Sequence, residues 1–200
     1  VILIPGGFGE TKAGRKLEEE LKELISKSHK EPDGGVVVNG GNCLGILAPY
    51  YNSFFIAKYK LPLVETKFRN LASISQSGAY LVSQISNLQG IVLPRFAISL
   101  GNQIDLTVSD YLDFLSDDTE IDVFSIYLEG FRPLDGRKFL ETAEKVVNQG
   151  KQIIFYKSGR TRLGEKAAFS HTAAIAGEYR VLESALTQAG VKVCQTLEQF

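Results

Sequence analysis

"LASISQSGAYLVSQISNL", residues 71–88, contains a strand, a turn and a helix in direct succession. Residues 71–75 form a short run of apolar and small side chains, which is typical of a strand buried on both faces. After "QSG", Leu81, Ile85 and Leu88 recur at the spacing of one helical face. Small polar residues between a buried strand and a helix predict the carboxyl edge of a parallel sheet.

The same alternation continues toward the C-terminus. Four further strands are predicted, namely "FAISL" (96–100), "VFSIYLE" (123–129), "QIIFY" (152–156) and "VKVC" (191–194). Three helical patterns lie between them, with Thr107 and Asp110 as a capping box for the first and Asp135 as the N-cap of the second. Five such strands predict an α/β fold with a doubly wound parallel sheet in the flavodoxin-like order.

The residues before this region form a smaller unit. "VILI" (1–4) and Val36–Val38 are predicted strands, and the segment between them is a helix with Leu17, Leu21, Leu24 and Ile25 on its apolar face. This βαβ unit is too small to stand alone. Residues 41–69 are aromatic and irregular, so we expect a domain boundary near residue 40, with one unit at 1–40 and the other at 41–200.

Composition narrows the functional class. The 200 residues carry a net charge of −1, without the basic surplus of a nucleic-acid-binding protein. No apolar run reaches the roughly 18 residues of a membrane span, and no signal peptide is visible. Two cysteines are too few for a disulfide framework, which favours a cytoplasmic protein. The chain contains no Met and opens inside a strand, so we expect a fragment of a longer protein.

Polar residues collect after each predicted strand. "SQSG" (75–78) follows the first, Gly101 and Asn102 the second, Glu129 the third and Lys157 the fourth. The carboxyl ends of parallel strands share one edge, where open α/β sheets bind ligands. At Ser75, Ser77 and Gly78 the unpaired N–H groups of a helix start predict a phosphate site, with simple N-capping as the alternative.

"KAAFSHTAAIAG", residues 166–177, places one of only two histidines in a run of small residues typical of a mobile loop. His171 is therefore a candidate nucleophile toward a phosphoryl group, and Glu129 is the carboxylate that would orient its imidazole. A buried structural role for His171 remains the alternative. Glu129 has its own alternatives, a surface position or a pair with Arg132 or Arg160. The other histidine, His29, is expected at the surface.

Several other chemistries find less support in the sequence. Cys43, in "GGNCLG" (40–45), is either a thiol nucleophile or part of a buried turn, and no suitably spaced base accompanies it. "GGFGE" (6–10) lacks the complete dinucleotide-binding pattern. No zinc motif, Walker A motif or G-x-S-x-G motif occurs. The absence of acids after residues 71–75 excludes a phospho-aspartate receiver.

Taken in order, seven motifs resemble the ADP-forming acyl-CoA synthetases, relatives of the succinyl-CoA synthetase α subunit. They are "GFGE" (7–10), "GNCLGI" (41–46), "ISQSGAY" (74–80), "SLGNQIDLTVSDYLDFLSDD" (99–118), "IYLEG" (126–130), "YKSGRT" (156–161) and "SHTAAIAG" (170–177). The resemblance implies that residues 1–40 end a Rossmann-like CoA-binding domain and that residues 41–200 are the flavodoxin-like ligase domain.

The resemblance also implies roles for individual residues. His171 matches the histidine that is transiently phosphorylated, and Glu129 matches the acid that supports it. Ser75, Ser77 and Gly78 match the phosphate-binding helix start, while Asn42, Gly9 and Glu10 match positions near CoA and its thioester. Acyl-CoA and phosphate would give acyl phosphate, which phosphorylates the histidine. The histidine then makes ATP from ADP at an ATP-grasp domain.

This chain departs from the family pattern at Gly41, where the family has Pro, and at Ala173, where it has Gly. It also contains no ATP-grasp domain, so ATP or ADP with Mg²⁺ must be bound by another domain or subunit, and we expect an oligomer. The alternative function is an acyl-CoA-sensing domain without catalysis, as in protein acetyltransferases. The aromatic stretch "PYYNSFFIAKY" (49–59) is expected either to line an acyl pocket or to cover an interface.

Overall fold

The computed structural model describes residues 1–61, 63–160 and 179–200. Its strands are β1 (Ile2–Leu3), β2 (Asn39–Gly40), β3 (Ile46–Ala48), β4 (Tyr51–Asn52), β5 (Leu71–Ser75), β6 (Phe96–Ser99), β7 (Val123–Leu128), β8 (Gln152–Lys157) and β9 (Lys192–Val193). Its α-helices are α1 (Lys12–Ser28), α2 (Gly78–Asn87), α3 (Val108–Ser116), α4 (Asp135–Asn148) and α5 (Tyr179–Gln188), with a 3₁₀ turn at Lys58–Lys60.

The main sheet has the strand order β4-β3-β6-β5-β7-β8-β9, and β6, β5, β7, β8 and β9 run parallel. In chain order these are the five strands of the sequence analysis in the order 2-1-3-4-5, so the flavodoxin-like fold is confirmed. Register aligns Ser75 with Ser99 on one side and Tyr127 on the other. The polar residues that follow the strands therefore meet at one edge.

Helices cover both faces of this sheet. Ile98 belongs to the larger apolar cluster, which includes residues of α3, α4 and α5. Its neighbour Ala97 belongs to a second cluster with Leu81 and Ile85 of α2. Because successive strand residues point to opposite faces, the two clusters lie on opposite sides of the sheet.

Two strand predictions need correction. Residues 41–69, interpreted as irregular, contain the antiparallel pair β3–β4, which extends the sheet beyond β6. Strands of three and two residues are too short to show a period in the sequence. Val36–Val38 is not a strand, because β2 is Asn39–Gly40 and the Val38 N–H donates to the Asp105 carboxylate at 2.7 Å.

The helix starts are partly as predicted. Thr107 and Asp110 form the capping box of α3. Asp135, however, is the first residue of α4 rather than its N-cap, which is Leu134 at φ 68°. Asp135 is buried, and its carboxylate accepts the Thr107 hydroxyl at 2.7 Å. Its side chain thus joins the starts of α3 and α4.

Residues 1–40 pack on the larger region through a small apolar cluster. Ile25 of α1 is buried there with Phe8, Val38 and Ile104, and Leu21 packs against them. Leu17 and Leu24, expected on the same buried face, are 54% and 63% exposed, because this cluster covers only part of the helix. The boundary near residue 40 stays a prediction. Within the described ranges no helix is long and apolar enough to span a membrane.

Candidate active site

A polar cleft of about 400 Å³ lies at the carboxyl edge of the sheet. We call it the strand-end cleft and define it by its lining residues: Asn42, Cys43, Leu44, Gln76, Ser77, Gly78, Ala79, Gly101, Asn102 and Glu129. Four residues chosen from the sequence, Asn42, Ser77, Gly78 and Glu129, therefore share one cavity. They come from three separate stretches of the chain.

The turn between β5 and α2 forms one wall. The Ser77 Oγ accepts the Tyr80 N–H at 3.2 Å, so Ser77 is the N-cap. The backbone N–H groups of Gly78 and Ala79 make no hydrogen bond within the described ranges. They lie at the positive end of the α2 dipole, where an anion is stabilised. The turn therefore both caps the helix and leaves two donors for an anion.

Ser75 contributes in a different way. It is 1% exposed and does not line the cleft, and its hydroxyl donates to the Ser77 carbonyl at 2.8 Å. Position 78 requires glycine, because a Cβ there would lie 3.0 Å from the Leu44 Cβ and 3.2 Å from the Ser99 Oγ. Ser75 thus shapes the turn, and Gly78 lets the helix start lie close to the opposite wall.

That opposite wall is the loop carrying Asn42. Asn42 has a φ of 52°, and its N–H donates to the Pro5 carbonyl at 2.8 Å. Gly101, at φ 58°, lies so close that an added Cβ would be 2.1 Å from the Gly41 carbonyl oxygen. The Asn102 N–H donates to that same oxygen at 2.8 Å. The Asn42 loop is therefore held tightly against the end of β6.

Glu129 follows β7, and three buried side chains hold the Glu129–Gly130 backbone. The Gln76 Oε1 accepts both N–H groups, at 2.9 and 3.1 Å. The Lys157 ammonium donates to the Glu129 carbonyl, and the Gln103 Nε2 donates to the Gly130 carbonyl at 3.2 Å. Because these contacts fix the backbone, they limit where the Glu129 carboxylate can lie.

Three of these residues have no role predicted from the sequence, namely Gln76, Gln103 and Lys157. The available signal was their position, because each lies at or just after the carboxyl end of a predicted strand. The two arginines considered as partners of Glu129 are engaged elsewhere. Arg132 pairs with Glu18, and Arg160 donates to Gln195.

Gly9 and Glu10 do not line the strand-end cleft. The Gly9 N–H donates to the buried Glu18 carboxylate at 2.8 Å. Glu10 accepts a hydrogen bond from the Asn102 Nδ2 at 2.7 Å, and its other carboxylate oxygen is buried with no hydrogen-bond partner among the described residues. Glu10 therefore touches the cleft through Asn102. His171 lies outside the described residues.

Cys43 lines the cleft but is only 5% exposed. Burial raises the pKa of its thiol above the ordinary value, so the thiol form predominates at neutral pH. A thiol is a weak nucleophile compared with its thiolate, which favours the buried-turn interpretation. His29 is at the surface as expected, with its Nε2 2.9 Å from the Val36 carbonyl oxygen.

The aromatic stretch at residues 49–59 also lies away from the cleft. Tyr50, Phe55 and Tyr59 are exposed, and no residue of the stretch lines the cavity. Its Phe54 and Ile56 pack instead against the apolar cluster under α2. The position does not favour an acyl pocket at this site.

Comparison with known proteins gives consistent results. Residues 69–200 match the family described as "succinyl-CoA ligase like flavodoxin domain". The chain is 37% identical to acetate–CoA ligase [ADP-forming] II subunit alpha of Pyrococcus furiosus, covering 100% of this chain and 41% of that protein. It is 34% identical to acetate–CoA ligase [ADP-forming] I of Archaeoglobus fulgidus, again over 100% of this chain but only 27% of the relative.

A solved structure is similar over nearly the same range. It is dinucleotide-forming acetyl-coenzyme A synthetase 1 of Ca. Korarchaeum cryptofilum in complex with phosphate and ADP, at a TM-score of 0.81 and 35% identity. The match covers 98% of this chain and 40% of that one. The chain thus spans well under half the length of these relatives.

Proposed function

Because the chain belongs to the family of flavodoxin-like succinyl-CoA ligase domains, we propose that it is part of an ADP-forming acyl-CoA synthetase. The reaction interconverts acyl-CoA, ADP and phosphate with carboxylic acid, CoA and ATP. The observation that carries this proposal is the meeting of Asn42, Ser77, Gly78 and Glu129 in one polar cleft of about 400 Å³. The similar ADP-forming ligases support the same reaction class.

In the first step a phosphate oxygen attacks the acyl carbon, and the CoA sulfur leaves as a thiolate that takes up a proton. The backbone N–H groups of Gly78 and Ala79, which make no hydrogen bond with the described residues, suit the phosphate. Asn42 on the facing wall would contact the thioester. Gly9 and Glu10 would act on the CoA side, through the Glu10–Asn102 contact.

In the second step an imidazole nitrogen of His171 attacks phosphorus, and the carboxylate of the acyl group leaves. Glu129 would accept the N–H of the other ring nitrogen, which fixes the tautomer and stabilises the positive charge that develops on the ring. The phosphohistidine then gives its phosphoryl group to ADP. Small residues around His171 suit a loop that moves between two sites.

The nucleotide step takes place outside this chain in our proposal. ATP or ADP with Mg²⁺ would be bound by an ATP-grasp domain or subunit, and the name "subunit alpha" of one relative supports such a partner. Acyl-CoA and phosphate are the other partners, and the enzyme would form an oligomer. We place the enzyme in the cytoplasm, because two cysteines are too few for a disulfide framework.

The test is ATP formation by the complete protein from acyl-CoA, ADP, phosphate and Mg²⁺, measured for a series of acyl groups. Glu129→Gln should lower kcat by about 100-fold, because the neutral amide no longer stabilises the charged ring. Glu141→Gln, a surface change at the Arg137 ion pair, is the matched control and should keep full activity. Acyl-CoA binding with no ATP from any substrate would favour the sensing function instead.

A further inference from the structure

Gln76 lines the strand-end cleft, and its side-chain amide contacts the backbone of Glu129 and Gly130. Gln76 is the residue before the N-cap of α2, and it is 5% exposed. Its backbone N–H donates to the Tyr127 carbonyl at 2.9 Å, which anchors the residue to β7. One side chain is thus placed next to both the start of α2 and the Glu129 turn.

The hydrogen bonds define which way this amide points. The N–H groups of Glu129 and Gly130 both reach the same side-chain atom, and only the amide oxygen can accept them. The two lone pairs of the Gln76 Oε1 are therefore used. The remaining hydrogen-bonding capacity of the side chain is the two N–H bonds of Nε2.

Those two N–H bonds are available to the cleft. Gln76 lines the cavity, and its Nε2 makes no hydrogen bond with the described part of the chain. Gln76 belongs to the same turn as Gly78 and Ala79, whose backbone N–H groups have no hydrogen-bond partner among the described residues.

We propose that Gln76 is a binding residue of the cleft, which donates from Nε2 to an anionic phosphate or acyl phosphate oxygen. Through Oε1 the same group positions Glu129. The inference rests on the proposed function, because it takes the anion in this cleft to be that phosphate. The rigid amide would then set the separation between the phosphate and the carboxylate, two groups that repel each other.

The surroundings make Gln76 suitable for substitution. The Glu129–Gly130 backbone has two further anchors, Lys157 and Gln103, which a change at Gln76 leaves in place. Gln76→Glu retains an oxygen that accepts the two N–H groups but removes the donor. Gln76→Met has similar length and removes both functions. Gln84→Glu is the control, because it introduces the same negative charge as Gln76→Glu at a glutamine of α2. The Gln84 side chain donates to the Ser125 hydroxyl and does not line the cleft.

The experiment titrates the complete protein with inorganic phosphate and follows amide hydrogen exchange at Glu129 and Gly130. Loss of a donor to a charged oxygen should weaken phosphate binding by about tenfold or more in both Gln76 variants. Exchange at the two amides should stay slow in Gln76→Glu and become faster in Gln76→Met. Gln84→Glu should match the wild type in both measurements.

Four outcomes would contradict the inference or the proposed function in different ways. Unchanged phosphate affinity in Gln76→Met contradicts the donor role even if Gln76→Glu binds weakly, since charge repulsion would explain the latter. Equal amide exchange in all variants contradicts the positioning role. A wild type that makes ATP but binds no phosphate contradicts this inference alone, whereas a wild type that does neither contradicts the proposed function.

Discussion

Replacing Gly101 with Ala should damage the protein more than an ordinary glycine substitution. Gly101 has a φ of 58°, and an added Cβ would lie 2.1 Å from the Gly41 carbonyl oxygen and 2.6 Å from that of Asn42. The left-handed backbone alone costs Ala about 1 kcal/mol. The contact adds a second penalty, because both neighbouring atoms belong to a backbone segment that can move only if hydrogen bonds are stretched.

The second penalty can be worked out from the bonds that must break. Moving the Asn42 loop away from Gly101 stretches two hydrogen bonds, from the Asn102 N–H to the Gly41 carbonyl at 2.8 Å and from the Ile104 N–H to the Gly40 carbonyl at 2.7 Å. Each contributes about 1 kcal/mol. Gly101→Ala should therefore lower the free energy of unfolding by about 3 kcal/mol.

Gly90→Ala is the matched control. Gly90 has a similar φ of 76°, but nothing lies within 4 Å of its added Cβ, so only the backbone penalty of about 1 kcal/mol applies. Urea denaturation followed by circular dichroism gives both values. Equal destabilisation of the two variants would refute the close contact between Gly101 and the Asn42 loop. A difference of about 2 kcal/mol would support it.

Three further changes have outcomes that follow from single side chains. The pKa of the Glu18 carboxyl is lowered, because its contacts with Lys22, the Gly9 N–H and Arg132 together outweigh the opposing effect of burial. The contribution of Glu18 to the free energy of unfolding is therefore present above the ordinary carboxyl pKa and is lost as the pH falls. Acid denaturation of Glu18→Gln should therefore depend less on pH than that of the wild type. Burial raises the pKa of Tyr80 to about 12, so the free energy of unfolding should fall between pH 10 and 12. Tyr80→Phe should reduce that slope, and an unchanged slope would contradict the burial of the phenol. Cys43 should react with a thiol reagent at neutral pH far more slowly than in urea, and equal rates would show that the cleft exposes its sulfur.

The sequence predicted the elements whose signal is local. The strand at 71–75 and helix α2 follow from an apolar run and a 3.6-residue period, and the α3 capping box follows from Thr107 and Asp110 three residues apart. The shared edge followed from topology, because parallel strands with helical crossovers must bring their carboxyl ends together. This is why four predicted site residues line one cleft.

The remaining features depend on contacts between distant parts of the chain. The β3–β4 pair is defined by its partner β6, and Asp135 is held by Thr107, 28 residues earlier, rather than capping its own helix. Gln76 is a similar case, because its amide meets Glu129 at a separation of 53 residues. A polar residue in a turn has no pattern that reveals such a partner, so its role is visible only in the folded chain.

The most direct test of the account asks whether His171 carries the phosphoryl group. The complete protein is incubated with Mg²⁺ and ATP labelled at the γ-phosphate, and bound label is measured after acid and after base. We expect acid-labile, base-stable label on the wild type and none on His171→Ala, with Glu141→Gln labelled as the wild type. Label that persists in His171→Ala, or a wild type without label, would contradict phosphohistidine chemistry at the strand-end cleft.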